Sequence, residues 1–203
     1  MKLIRHPVLC NYYLTYRCNA KCSFCDIWEK PSPYVTIENM IENLRDLKKL
    51  GVSVIDFTGG EPLLHRQLPD FLSLAKDSGF LTTVTTNTLL YPKYAEALRG
   101  KIDMLHFSLD SPDENKHNDS RGVTCFSHFV KSLHEIEEVY LRFVKPFNRI
   151  LILNPVFSYN EVGDQLSEQA LQKLLHWGKQ PNVYLNDAFI ALRKAGGNQI
   201  QNP

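Results

Sequence analysis

A mostly parallel α/β sheet, closed part-way into a (β/α)6 TIM-like barrel, is the fold class this sequence predicts, and three observations predict it. Six short runs rich in branched and aromatic residues alternate with five helical segments, the connectivity of a parallel sheet. At 203 residues the chain falls short of the ~250 that eight units typically need, and fits six. Polar residues with chemical capacity recur just after the strands, where ligands collect in parallel sheets. An open doubly wound sheet shares these features, and periodicity does not separate the two.

The first strand is Val8 to Thr15, branched and aromatic, running straight into a cysteine-rich stretch. Lys30-Pro31-Ser32-Pro33 breaks the chain. Thr36 is an N-cap for a helix in which Ile37, Met40, Ile41, Leu44, Leu47 and Leu50 follow at helical spacing until Gly51 stops it. Val52 to Phe57 is the second strand, bounded by Thr58-Gly59-Gly60. A short helix from Leu68 to Ala75 ends before Gly79; the third strand is Leu81 to Thr86. A weak helix, Lys93 to Leu98, leads to the fourth strand, Ile102 to Leu109. Phe126, Phe129, Val130, Leu133, Ile136, Tyr140 and Phe143 mark a longer helix, and Ile150 to Phe157 the fifth strand. A helix carrying Leu166, Ala170, Leu171, Leu174 and Leu175 precedes a last strand starting at Val183.

With 43% hydrophobic residues the chain can bury one sizeable core, and no repeat or linker divides it, so residues 1–203 read as one core domain. The Ala195–Pro203 end shows no final helix, and we expect the native polypeptide to continue. A net charge of +1, with 23 basic and 22 acidic residues well mixed, gives no reason to expect a nucleic-acid or membrane surface. No apolar run suits a signal peptide or a membrane span. The expected location is cytoplasmic, where clustered cysteines are metal ligands or redox groups before they are disulfides.

Three of the five cysteines, Cys18, Cys22 and Cys25, fall within eight residues, with no fourth cysteine or histidine beside them. A closed zinc site wants four protein ligands, usually as two pairs, whereas iron–sulfur clusters accept thiolates at unequal spacing. Three thiolates on a four-iron cluster leave one iron free to bind something else. A zinc site, a disulfide and unconnected buried thiols are the alternatives. Cys10 and Cys125 stand alone and read as inert buried thiols.

The other strand ends carry Gly59-Gly60-Glu61-Pro62, Thr86-Asn87, Ser108-Leu109-Asp110-Ser111 and, on the fifth strand, Asn154. Paired glycines let backbone groups approach a ligand closely, and Glu61 adds an acceptor suited to an ammonium group. Asn87, Ser108 and Asp110 taken singly are turn or capping residues.

On these residues the chain resembles the radical S-adenosylmethionine enzymes. Cys18, Cys22 and Cys25 match that family's Cys-x3-Cys-x-aromatic-Cys pattern, with Phe24 at the aromatic position, and Gly59-Gly60-Glu61-Pro62 resembles its second motif. The resemblance implies a [4Fe-4S] cluster on the three thiolates, its fourth iron chelating the amino and carboxylate groups of S-adenosyl-L-methionine. It implies that backbone around Phe24 faces the adenine, that Gly59, Gly60 and Glu61 meet the methionyl ammonium, and that Asn87 and Ser108 contact the methionyl and ribose portions. His117-Asn118-Asp119-Ser120-Arg121-Gly122 is similar to a segment of the peptide- and sulfatase-maturing branch, which makes Arg121 a partner for the cofactor carboxylate; a solvated loop arginine is the alternative. Asn154 to Asn160 resembles the fifth-strand segment of the molybdenum-cofactor branch, although the family's Gly-x-Ile-x-Gly-x-x-Glu form is absent.

The implied reaction is reductive cleavage of S-adenosylmethionine to a 5′-deoxyadenosyl radical that abstracts hydrogen from a substrate, with a low-potential donor of flavodoxin or ferredoxin type supplying the electron. Peptide, nucleotide and lipid substrates are all open, and no residue is singled out as catalytic. No general-base histidine is required, so His6, His65, His106, His128, His134 and His176 are assigned ordinary structural or surface roles. The rival reading is a non-catalytic zinc- or iron–sulfur-binding module on the same fold.

Overall fold

The structure, a computed structural model, describes residues 7–111, 113–139, 151–158, 183–185 and 189–191. The strands among them are β1 (Leu9–Thr15), β2 (Val54–Gly59), β3 (Leu81–Thr86), β4 (Met104–Leu109), β5 (Leu151–Ser158), β6 (Val183–Leu185) and β7 (Phe189–Ala191). Every pairing is parallel, and the order β1-β2-β3-β4-β5-β6 follows the chain, with β7 joining β5. A doubly wound sheet reverses direction at a switch point, whereas a barrel adds each strand to the same side of the last. The unbroken order therefore identifies a partial barrel, the question periodicity leaves open.

Helices α1 (Ile37–Lys49), α2 (Leu68–Asp77), α3 (Tyr91–Leu98), α4 (Glu114–Arg121) and α5 (Phe126–Val139) connect the strands. Helix α1 begins as expected at Thr36, whose hydroxyl accepts from the Asn39 N–H while Asn39 Oδ1 accepts from the Thr36 N–H; the chain beyond it turns at Gly51, φ +83°. Its buried Met40 and Leu44 join Phe71 and Leu72 of α2, Leu98 of α3 and Phe129 of α5. Opposite them lie Ile55 and Phe57 of β2, Val84 of β3, and Leu105 and Phe107 of β4. Burying each such side chain is worth roughly 1.5–3 kcal/mol. Strand side chains alternate between faces, so the helix-facing set leaves Asp56, Thr83, Thr85, His106 and Ser108 on the other side of the sheet.

Helix α4 is not expected from the sequence, which leaves this stretch as a loop bearing Arg121. Its eight residues, ENKHNDSR, carry no apolar period, so only its ends signal it. Asp113 caps it by accepting from the Lys116 N–H at 3.0 Å, and Gly122 closes it at φ +62°. Strand β7 is likewise unexpected. The expected helix over Leu166–Leu175 and the Tyr140 and Phe143 positions lie outside the described residues. No helix among the described residues is long and apolar enough to cross a membrane.

Candidate cofactor site at the strand ends

β1 delivers the cysteine loop, and β2 comes up beside it. The N–H of Gly60 donates to the Thr15 carbonyl at 2.8 Å and that of Glu61 to the Arg17 carbonyl at 2.9 Å. The glycine pair is what lets these loops touch. A Cβ on Gly59, whose φ is +139°, would run into the Thr15 carbonyl, and one on Gly60 into the carbonyls of Tyr16 and Arg17. Ser32 steadies the same loop by accepting from the Tyr16 N–H at 2.8 Å.

Glu61 is fully buried. Its Oε1 accepts from the Leu63 N–H at 3.0 Å and the Thr86 hydroxyl at 2.8 Å, and its Oε2 from the Asn87 N–H at 2.8 Å. Burial pushes its carboxyl up to about 7, although these donors and Arg121 pull the other way. Glu61 thus clamps the end of β2 to the end of β3. Asn87 carries the link onward, its amide donating to Asn19 Oδ1 at 2.8 Å and reaching Cys18 Sγ at 3.7 Å.

From the other side α4 straps the cysteine loop. The Lys21 N–H donates to the Arg121 carbonyl at 3.0 Å and the Ser23 N–H to the Ser120 carbonyl at 2.9 Å; a Cβ on Gly122 would strike the Lys21 carbonyl. The Arg121 guanidinium ion-pairs with Asp110, lies 3.8 Å from Cys22 Sγ through Nη1 and sits 5.5 Å from the Phe24 ring centroid. Both ends of that pair are buried, and Asp110 also accepts from the Ser120 hydroxyl at 2.9 Å. Behind it, His117 Nδ1 accepts from the Asp110 N–H at 3.2 Å, and His117 Nε2 stands 3.2 Å from Cys125 Sγ. Nδ1 being an acceptor, Nε2 carries the proton and donates to the thiol. Burial holds His117 down at about 3, so the ring is neutral.

The structure therefore brings Cys18, Cys22, Cys25, Phe24, Gly59, Gly60, Glu61, Asn87 and Arg121 together where β1 to β4 end. Ser108 lies on β4 two residues short of Asp110, and Asn154 is its register partner on β5; the Asn154 side chain lies outside the described residues. Burial raises Cys18 and pushes Cys22 up to about 11, with Arg121 opposing the rise at Cys22. Among the described residues, no three His, Cys, Asp or Glu side chains converge tightly enough to hold a single ion. The sequence names Arg121 and Asp110 but not their pairing. The signal that could have found it is the spacing of Asp113 and Gly122, which turns the intervening stretch into a helix and aims Arg121 back at the loop.

Comparison with known proteins places the chain. Residues 12–164 match the Radical SAM superfamily. The chain is 33% identical over 156 residues to a probable GTP 3′,8-cyclase of Archaeoglobus fulgidus, covering 75% of this chain and 51% of that one. It is 27% identical over 172 residues to an S-adenosylmethionine-dependent nucleotide dehydratase of Siniperca chuatsi, covering 82% and 48%. The crystal structure of Streptococcus suis SuiB bound to S-adenosylmethionine superposes with a TM-score of 0.70 at 20% identity, over 98% of this chain and 44% of that one, and shows the shared fold. The chain spans about half the length of the curated relatives it matches. S-adenosylmethionine and an iron–sulfur cluster are the cofactors that such membership implies. With three quarters of its length inside the family's boundaries and the cysteine loop at the head of its barrel, this chain belongs to the radical SAM superfamily.

Proposed function

We propose that the chain is the radical SAM core of an enzyme that cleaves S-adenosylmethionine reductively and abstracts hydrogen from a nucleotide. The observation that carries the cofactor assignment is the donor set: three thiols on one loop, no fourth cysteine or histidine beside them among the described residues, and N–H groups aimed at two of the sulfurs. Ala20 and Asn87 address Cys18 at 3.4 and 3.7 Å, and Arg121 addresses Cys22. Soft sulfur ligands with hydrogen-bonded outer partners suit an iron–sulfur cluster, and three of them suit a [4Fe-4S] cluster with one open iron. A cluster so held, with S-adenosylmethionine bound, supplies the one-electron chemistry that yields a 5′-deoxyadenosyl radical.

The chain's own residues hold and orient. Cys18, Cys22 and Cys25 hold the cluster. Glu61, sealed between β2 and β3, fixes the Gly59-Gly60 turn and the Asn87 backbone, so that both meet the methionyl end of the cofactor in one geometry. Phe24, Ser108 and Asn154 serve the adenosyl portion, and Arg121, held by Asp110, braces the cysteine loop beside Cys22. The nucleotide substrate rests on the relatives named for GTP and nucleotide chemistry. A low-potential flavodoxin- or ferredoxin-type protein supplies the electron.

The test is anaerobic reconstitution with iron and sulfide, then assay for 5′-deoxyadenosine with reductant and S-adenosylmethionine, with and without GTP or CTP. Product that rises on adding a nucleotide supports the reading; no product from a cluster-loaded sample refutes it. About one zinc and no labile sulfide in the isolated protein would favour the non-catalytic module.

A further inference from the structure

The face of the sheet turned away from the helices holds a second constellation, below the cysteine loop. Barrel interiors are normally filled by bulky branched hydrocarbon. Here the lowest register row, Leu9, Val54 and Leu81, is apolar, but the row above it is Asn11, Asp56, Thr83 and Met104. The next includes Thr85 and His106, register partners on β3 and β4, with Ser108 one step higher on β4. Two rows of amide, carboxylate, hydroxyl and imidazole in place of valine and isoleucine are unlike the hydrocarbon filling of a packed barrel core.

The hydrogen bonds fix what this lining presents. The Thr83 hydroxyl donates to Asp56 Oδ1, and the Thr85 hydroxyl donates to the same carboxylate, 2.9 Å from Oδ2. A hydroxyl has one proton, so Thr85 can only accept from His106 Nδ1, 3.2 Å away. His106 therefore carries its proton on Nδ1 and offers a bare Nε2. That atom is buried and finds no hydrogen-bond partner among the described residues. Burial lowers the His106 pKa, which favours the neutral ring, while the Asp56 charge acts against the shift. A buried acceptor without a donor is costly, and the cost is relieved by a ligand that supplies one.

We propose that His106, oriented through Thr85 by Asp56, is a substrate-recognition residue whose Nε2 accepts a hydrogen bond from an N–H or O–H group of the substrate. Among the described residues these rows contain one carboxylate and no lysine or arginine, which suits a neutral, donor-bearing group and not a phosphate. Resting on the nucleotide reading above, the inference places a ribose hydroxyl or a base amino group against His106, with the phosphates outside the band.

Nitrogen-15 NMR of histidine-labelled, cluster-loaded protein under anaerobic conditions tests this, with His106→Gln identifying the signal. The free protein should show His106 as the neutral Nδ1–H tautomer. GTP or CTP should move the Nε2 resonance, and inorganic tripolyphosphate should not. In equilibrium dialysis His106→Ala should weaken binding of the nucleotide about tenfold or more, and His106→Gln, which can return an acceptor, should recover part of the loss. Thermal melts of both variants separate this from misfolding. An Nε2–H tautomer overturns the proposal. So does a response to tripolyphosphate, or a nucleotide that dialysis shows to be bound while His106 Nε2 stays unmoved. Failure of GTP and CTP to bind wild-type protein at all refutes the nucleotide reading itself and this inference with it, a result distinct from binding that ignores His106.

Discussion

The Nη1 of Arg121 lies 3.8 Å from the sulfur of Cys22, while the same guanidinium is ion-paired with buried Asp110. One arginine thus joins β4's end to the cysteine loop. Removing the acid strands the cation: Asp110→Ala should destabilise the protein by about 3–5 kcal/mol, the usual cost of breaking a buried pair from one side. Denaturant unfolding measures this. Asp110→Asn, which keeps a hydrogen-bond acceptor, should cost less, and an equal loss in both variants would show that charge is not what matters at this position.

The thiol ligands are separable from the other cysteines. Alanine at Cys18, Cys22 or Cys25 should abolish retention of iron and acid-labile sulfide after reconstitution, whereas Cys10→Ala should retain both. Cys25→Ala with full iron and sulfide content would refute the ligand set. Cys125→Ala should also keep its iron but lose about 1 kcal/mol of stability, because the His117 N–H then faces no acceptor.

Glu61 sets a pH dependence. Burial raises its carboxyl from 4.5 to about 7, so the folded protein holds this proton more tightly than the unfolded chain does. Its contribution to stability is therefore complete below pH ~4.5 and is lost as the pH climbs towards 7, an effect of roughly 3 kcal/mol. Glu61→Gln should impose a constant penalty, since its amide turns one donor against another, but should remove that slope. Parallel unfolding curves for the two proteins between pH 4.5 and 7 would contradict the assignment.

Gly60 has an ordinary φ, so its requirement is one of space alone. Gly60→Ala should cost about 1–3 kcal/mol and lower iron incorporation together, because the new methyl pushes the β2 turn off the Tyr16 and Arg17 carbonyls. Melting temperature and iron content check both halves.

Much of this was legible in the sequence. Runs such as Leu81–Thr86 and the α1 spacing behind Thr36 are local patterns, and they appear where expected. The cysteine spacing and the Gly59-Gly60 pair were equally plain, because thiolate chemistry and glycine's missing Cβ leave few other uses. Helix α4 escaped because a helix with no apolar stripe has no period to read; its capping residues outweigh its composition. A lone histidine in a strand says nothing of its neighbours, so the sequence leaves His106 with an ordinary role. Only the register of β3 against β4 puts Thr85 beside it, and only Asp56 one strand further decides which nitrogen bears the proton.

The backbone bonds from Lys21 to Arg121 and from Ser23 to Ser120 have a bearing on assembly. The cysteine loop's shape is not written in its own eight residues alone, because two of its main-chain hydrogen bonds run to residues about a hundred positions later in the chain. Closing so long a loop carries an entropic toll that local contacts cannot meet before β4 and α4 are in place. The cysteine loop therefore reaches its final main-chain form only once β4 and α4 have come to lie against it.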